Sequence, residues 1–373
     1  MKIGILTQPL RNNYGGLLQA YALQAFLKKH GHDVMTVDFQ KENKPRFFGF
    51  KGIALNITKK YIFRKKIKSI LPLTEKDKNK INQHSARFIA QNINRTQLIT
   101  SLEEFTYLTQ YNFDAYIVGS DQVWRPPYSP GMSAFFLEFL KDDIKTKRIA
   151  YAASFGVDHC DEFSKDELIR YTALAKKFDL IGVREDSAVN LCDRHFGIKA
   201  EHVLDPTLLL EKDDYIELIK KDNLPPLDGD MMVYVLDQTE EKKRIISEVK
   251  NKYKLKPYSI MPNDIDDVYP PVTKWLKGFM DAKFIVTDSF HGVVFSIIFN
   301  KPFIAIGNND RGLARFLSIL KLFNLENHLI VQLQDLEKTL NLLPINYTII
   351  NDLLKIKKEH SVLFITNALG EKK

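Results

Sequence analysis

His291 stands at the start of a helical stretch, in Ser289-Phe290-His291-Gly292, directly after the apolar run Ile285-Val286-Thr287 and Asp288. A cationic imidazole there is opposed by the positive end of the helix dipole. A bound phosphate would reverse that preference and favour the protonated ring, a good general acid. Arg184 ends a second apolar run, Ile181-Gly182-Val183. A guanidinium at that depth needs an anion, either Glu185 or Asp186 or a ligand. Arg311 and Arg315 flank a third helix start, where a bound anion would offset the dipole; ordinary surface charge is the competing reading. Asp121, in Gly119-Ser120-Asp121-Gln122-Val123-Trp124, can take a proton from a hydroxyl or cap the segment that follows. Gly15-Gly16, before a helix, let backbone N–H groups approach an anion or serve a tight turn.

These residues share one position: each lies just after a strand pattern. The first forty residues read as a β-α-β unit, with strands over 2–6 and 34–39 and a helix over 17–30. Short apolar strands recur over 115–118, 149–152, 180–183 and 202–204, with helical patterns between several of them. Such alternation predicts a parallel sheet covered on both faces. Residues 221–230, KDNLPPLDGD, read as a linker. Strands over 232–236, 258–261, 284–287 and 303–306 then alternate with helices over 240–252, 272–280, 292–300 and 313–322. The expected architecture is α/β, with two doubly wound Rossmann-like domains, 1–220 and 231–345, facing a cleft. A C-terminal helix within 346–373 would pack back on the first domain. In such sheets ligands bind beyond the carboxyl ends of the strands. Asn13-Tyr14-Gly15-Gly16, Ser154-Phe155-Gly156 and Asp205-Pro206-Thr207 also fall there.

Composition narrows the function. The 373 residues are 45% hydrophobic and 27% charged, ordinary for a globular protein and long enough for two domains. No run of eighteen apolar residues occurs, and the start lacks a signal-peptide pattern, so a cytoplasmic location is expected. Cys160 and Cys192 form no CxxC, which argues against a disulfide framework or zinc site; no metal site is expected. GxGxxG is absent although Asp38 ends the second strand, so a dinucleotide site is a poor fit. Residues 41–80 hold thirteen Lys or Arg against three Asp or Glu, a balance of +10 in a chain whose total is +8. The core of that segment, residues 56–71, has the spacing of a basic amphipathic helix. It suits either a solvated helix packed on its own domain or peripheral contact with an anionic membrane. No nucleic-acid motif accompanies the charge, and no nucleic-acid partner is expected.

Taken in order, six segments resemble the polysaccharide pyruvyl transferase family: 13–23 (NYGGLLQAYAL), 119–124 (GSDQVW), 151–156 (YAASFG), 183–187 (VREDS), 204–209 (LDPTLL) and 289–292 (SFHG). The resemblance runs from residue 1 to about 325. It implies a fold like the two-Rossmann-domain GT-B glycosyltransferases, phosphoenolpyruvate as co-substrate, and a glycan or lipid-linked oligosaccharide as acceptor, with no further cofactor. The family's donor site often reads Arg-Leu-His; here it reads Ser289-Phe290-His291, so Arg184, Arg311 or Arg315 would supply the missing charge. Gly292 completes that set. On the acceptor side the resemblance points to Asn13, Tyr14, Gly15, Gly16, Gln19, Ser120, Asp121, Trp124 and Ser154. Arg125 stands where the family often has Asn. His291 is the expected acid and Asp121 the expected base, with the domains closing over both substrates. Two other functions share the frame: a nucleotide-sugar glycosyltransferase, and a non-catalytic binding protein of a polysaccharide assembly complex.

Overall fold

A computed structural model describes residues 1–41, 74–129, 131–262, 268–307, 312–342 and 344–370. The basic segment 56–71 and Arg311 lie outside them.

The first sheet contains β1 (Lys2–Leu6), β2 (Asp33–Thr36), β3 (Ala115–Val118), β4 (Lys147–Ala153), β5 (Leu180–Val183) and β6 (Glu201–His202), in the order β2-β1-β3-β4-β5-β6. The second contains β7 (Met231–Tyr234), β8 (Pro257–Tyr258), β9 (Phe284–Thr287), β10 (Phe303–Ile306) and β11 (Leu329–Ile330), in the order β11-β10-β9-β7-β8. Every pairing is parallel. The central strands are apolar on both faces because helices cover both; β3 and β9 are buried along their whole length. β2 and β8 are shorter than their apolar runs predict. Beyond Thr36 the chain leaves the sheet, and Phe39 makes an isolated bridge to Ile99.

Each sheet has one switch point, where successive strands depart in opposite directions. In the first it lies between β1 and β3, in the second between β7 and β9. A crevice opens at such a point beyond the strand ends. The Asn13 and Asp121 loops leave the first crevice, and the Asp288 loop leaves the second.

The two halves do not sit apart. One continuous apolar core runs through both. Tyr14, at the start of the helix Tyr14–Lys29, stacks on Trp275 of the second half at 5.6 Å and donates its hydroxyl to the Pro270 carbonyl at 2.8 Å. Tyr215 meets Phe295 edge-on at 5.0 Å. Each such pair adds roughly 0.5–1.5 kcal/mol beyond the area it buries. The 221–230 segment is tied down as well: Asp222 accepts from Arg87 at 2.7 Å and from Thr273.

The helix Tyr347–Leu369 crosses back onto the first sheet. Asn346 caps its start, accepting from Thr348 N at 3.1 Å, and Gly370 ends it in the left-handed conformation. Ser361 accepts from Leu204 N at 3.0 Å, and Lys147 donates to the Ala368 carbonyl at 3.0 Å. Tyr347 donates to the Lys301 carbonyl in the second half, so this helix straps the halves together. No helix among the described residues is long and apolar enough to cross a membrane.

Candidate active site in the interdomain cleft

The loops at the two switch points face each other across a cleft of about 490 Å³. Its first wall carries Gln8, Arg11, Asn13, Lys41, Asp121 and Gln122. Its second carries Asp288, Ser289, Phe290, His291 and Arg315.

The second wall is set by β9 and the helix Phe290–Ile298. Ser289 caps that helix, its hydroxyl lying 3.4 Å from Gly292 N. Gly292 must be glycine: a Cβ there would lie 2.0 Å from the Thr287 hydroxyl, which donates to the Tyr234 carbonyl at 2.8 Å. Asp288 is buried and accepts from Leu236 N at 2.7 Å and from Lys242 Nζ at 2.7 Å. It thereby ties the loops after β7 and β9 into one surface.

His291 projects from this wall into the first half. A Cβ on Gly15 would lie 2.1 Å from His291 Nδ1, so the glycine lets the imidazole approach the backbone. On the other side of the ring, Nε2 is 3.6 Å from Asp205 Oδ2. That is an ion-pair distance, longer than a hydrogen bond.

Arg184 organises the first wall from behind. Its side chain is 1% exposed and meets three carboxylates. Nη2 is 3.2 Å from Asp121, Nη1 is 3.1 Å from Asp205, and Nε is 3.6 Å from Glu185. Its guanidinium lies 4.5 Å from the centre of the Phe290 ring. Burial opposes the charge on Arg184, but the three carboxylates outweigh it and raise its pKa. The same charges act in reverse. Burial disfavours ionised Asp121, yet Arg184, His291 and Arg315 together hold its carboxyl below the usual range. Burial likewise opposes Asp205, but His291, Arg184 and Thr207 hold it well below that range. Glu185 goes the other way: burial dominates and raises it, despite Arg184 and a hydrogen bond from Ser154. Asp121 is therefore a firmly ionised carboxylate and a weak base.

Arg315, from the helix Leu313–Leu322, lines the cleft on its second wall. Burial lowers its pKa to about 10, with Arg184 adding to the effect and Asp121 opposing it. It stays cationic at neutral pH, in a partly desolvated setting where an anion is bound strongly.

Several expected site residues form the frame instead of the lining. Arg184 does not line the cleft, because its donors are turned to buried carboxylates. Arg125 is held by Glu162 at 2.9 Å and by Gln122 at 3.1 Å, and packs over Tyr128, so its charge is matched inside the first half. Trp124 is a core residue, stacked on Phe136 at 5.2 Å with its indole N–H donated to the Phe135 carbonyl at 3.1 Å. Gln19 is buried and joins the loops after β1 and β3, donating to Thr7 at 2.8 Å and accepting from Ser120 N at 3.1 Å. Ser120 and Ser154 are buried, and their hydroxyls bind Asp205 and Glu185 respectively. Tyr14 joins the halves, and Gly16 lies beside the Asn13 side chain. Asn13, Asp121, Ser289, Phe290, His291 and Arg315 line the cleft.

Gln8, Arg11 and Lys41 also line the cleft, and Asp205 lies behind it beside His291. Arg11 follows β1 and so obeys the strand-end rule, but one arginine in a loop carries no other signal. Lys41 sits in a basic run that gives no reason to single it out. Among the described residues, no cluster of His, Cys, Asp or Glu could hold a metal ion.

The fold is shared with UDP-GlcNAc 2-epimerases. The enzyme from Neisseria meningitidis, solved with UDP-GlcNAc, is 11% identical over 97% of this chain and 100% of its own, with a TM-score of 0.50. The one from Methanocaldococcus jannaschii, in complex with UDP-GlcNAc and UDP, is 13% identical over 95% and 99%, with a TM-score of 0.53. MnaA from S. aureus, solved with UDP, is 12% identical over 100% and 97%, with a TM-score of 0.51. At such identities the likeness establishes the two-Rossmann, GT-B-like architecture alone. No curated protein matches the chain. The family model of polysaccharide pyruvyl transferase does match, across residues 13–310, which takes in Asn13, the Asp121 loop, the second switch point and His291. On that match the chain belongs to the polysaccharide pyruvyl transferase family, enzymes that move the pyruvyl group of phosphoenolpyruvate onto a sugar.

Proposed function

We propose that phosphoenolpyruvate binds in the cleft between Arg315 and His291, with the acceptor sugar against Asp121 and the Asn13 loop. The observation that carries this reading is the pairing of a buried cleft-facing arginine with a histidine at a capped helix start. The donor carries a carboxylate and a phosphate, and Arg315 is suited to either by planar, charge-assisted hydrogen bonds. The family's arginine before the histidine is Ser289 here. Arg315 supplies the charge from a different helix, while Arg184 acts through Asp121, Asp205 and Phe290.

The chemistry balances on the acceptor's own protons. One hydroxyl oxygen bonds to C2 of the donor as the methylene carbon gains a proton and becomes methyl. The C2–O bond to phosphate then breaks, and phosphate leaves. A second hydroxyl bonds to C2 and closes the ketal. Two protons leave hydroxyl groups; one ends on the methyl group and one on phosphate. His291 is the acid in this scheme. Asp121, held ionised by Arg184, orients the acceptor hydroxyls and stabilises the positive charge that develops at C2. As a weak base it is better suited to that role than to abstracting a proton early. Arg11 and Lys41 at the rim face whatever anionic group the acceptor bears.

Incubation with phosphoenolpyruvate and a glycan acceptor should release phosphate in step with ketal formation. Release of a nucleotide from a nucleotide sugar, with the phosphoenolpyruvate left intact, would favour the glycosyltransferase alternative.

The acceptor in this reading is a lipid-linked glycan precursor at the cytoplasmic membrane face. Its support is the basic amphipathic pattern of residues 56–71. The enzyme should co-sediment with anionic liposomes, and Glu at Lys59, Lys60, Lys65 and Lys66 should abolish pelleting. Unchanged pelleting would remove the membrane from the account.

A further inference from the structure

We propose that Asp205 is the positioning residue for His291, fixing which ring nitrogen carries the proton and so which one serves the substrate. The inference rests on the reading of His291 as the proton donor and adds how the donor is aimed.

Asp205 follows β6 in the first half, whereas His291 begins a helix in the second. The two meet only because the halves share a core. Asp205 is itself immobilised. Its Oδ1 accepts from Thr207 N at 3.0 Å and from the Thr207 hydroxyl at 2.7 Å. Its Oδ2 accepts from Arg184 Nη1 at 3.1 Å and from the Ser120 hydroxyl at 3.2 Å. Four donors thus point one carboxylate edge at His291, and the ring answers with Nε2 at 3.6 Å. Nε2 is buried and makes no hydrogen bond among the described residues. A buried ring nitrogen left that way is unfavourable. A small approach would turn the 3.6 Å contact into an Nε2–H to Asp205 hydrogen bond, as catalytic contacts often tighten when substrate binds.

The other charged groups around the ring are already engaged. Asp121 accepts from Arg184 at 3.2 Å, and Arg184 is shared among three carboxylates. Arg315 lies over the Phe290 ring at 5.8 Å, and a cation cannot accept a proton from imidazole. Among the described residues, Asp205 is the acid within ion-pair distance of His291. With Nε2 committed to Asp205, Nδ1, which lies beside Gly15, is the nitrogen left to serve the substrate. A base fixed by a third group is a recurring arrangement for proton transfer; here the two members come from different halves of the chain.

The test combines ring ¹⁵N NMR with kinetics on the full-length enzyme. The chain has nine histidines, so the His291 signals are assigned by comparison with His291→Gln. In the wild type at alkaline pH the neutral ring should carry its proton on Nε2. In Asp205→Asn that preference should collapse to a mixture of tautomers. The turnover number for phosphate release should fall about ten- to a hundredfold, as for loss of an orienting partner. The KM for phosphoenolpyruvate should change by less than about threefold, because the lost contact acts on the transition state and not on ground-state binding. Asp205→Glu should restore part of the turnover. A wild-type ring with its proton on Nδ1 overturns the proposal whether or not the variants fold. So does an Asp205→Asn enzyme with unmoved tautomer and near-normal turnover. If the wild type releases no phosphate yet the tautomer still shifts in Asp205→Asn, the pairing stands and the donor reading fails.

Discussion

Replacing His291 by Gln or Ala should reduce phosphate release from phosphoenolpyruvate by about 10²–10⁴-fold, the range for loss of a positioned general acid. The fold should survive. His291 lies in the first turn of its helix, and the cap at Ser289 and the contact of Phe290 with Arg184 do not use the imidazole. Near-ultraviolet circular dichroism and the melting temperature should therefore stay close to wild type while turnover is lost. Gln is the more informative variant, because it fills similar space and can still donate a hydrogen bond, yet cannot hold a transferable proton. A Gln variant with more than a tenth of wild-type turnover would remove His291 from the acid role. The same outcome would leave the donor pocket intact, since Arg315 supplies its charge separately.

Arg184→Met should have the largest effect on stability. Among the described residues, it removes the one cation that touches Asp121, Glu185 and Asp205 together, all of them buried. Breaking a buried ion pair by deleting one partner costs roughly 3–5 kcal/mol, because the remaining charge is uncompensated. Here three carboxylates lose the same partner, and Phe290 loses a cation packed on its face, worth about 2 kcal/mol when desolvated. The pH dependence has a definite sign. In the wild type Asp121 and Asp205 have folded-state pKa values depressed below their unfolded ones. They contribute stability that is present above the unfolded value of about 4 and is lost as pH falls through the folded values. Without Arg184 that contribution shrinks, and the carboxylates shift toward their protonated forms. The deficit of the variant should therefore be greatest near pH 8 and shrink toward pH 4. Melting temperatures across that range decide the matter. A variant as stable as the wild type at pH 8 would mean that Arg184 is not the counter-charge of this cluster.

A chain pattern marks the strands and the polar residues beyond them, whereas only the docking of the halves fixes which of those residues meet. The strands were legible because parallel strands buried on both faces must be apolar throughout, as in Ala115–Val118 and Phe284–Thr287. The polar residues after them were legible because ligands gather beyond the carboxyl ends of parallel strands. His291, Asp121 and Arg315 were found on that basis, and all three line the cleft. The partners of those residues were not legible. Arg184 could meet a ligand or a carboxylate with equal sense, and the choice depends on Asp121 and Asp205, which lie 63 and 21 residues away. Asp205 was visible in Asp-Pro-Thr, but that string also reads as a helix cap. It does cap the short turn Pro206–Leu208, with its second oxygen left for Arg184 and Ser120. Tyr14 reaches Pro270 across 256 residues, and no local pattern marks a contact of that length. Trp124 and Arg125 follow a strand as the rule asks, yet pack inward, because the loop carrying them turns back over an aromatic cluster around Phe136.

The most direct test of the account is the thermal stability of the wild type and of Arg315→Met, each with and without phosphoenolpyruvate. A ligand that binds only the folded state, present at 100 times its dissociation constant, should add about 2.7 kcal/mol. The wild type should show a clear upward shift that is lost in Arg315→Met. A shift retained in full by the variant, or one produced by a nucleotide sugar and not by phosphoenolpyruvate, would contradict the placement of the donor between Arg315 and His291.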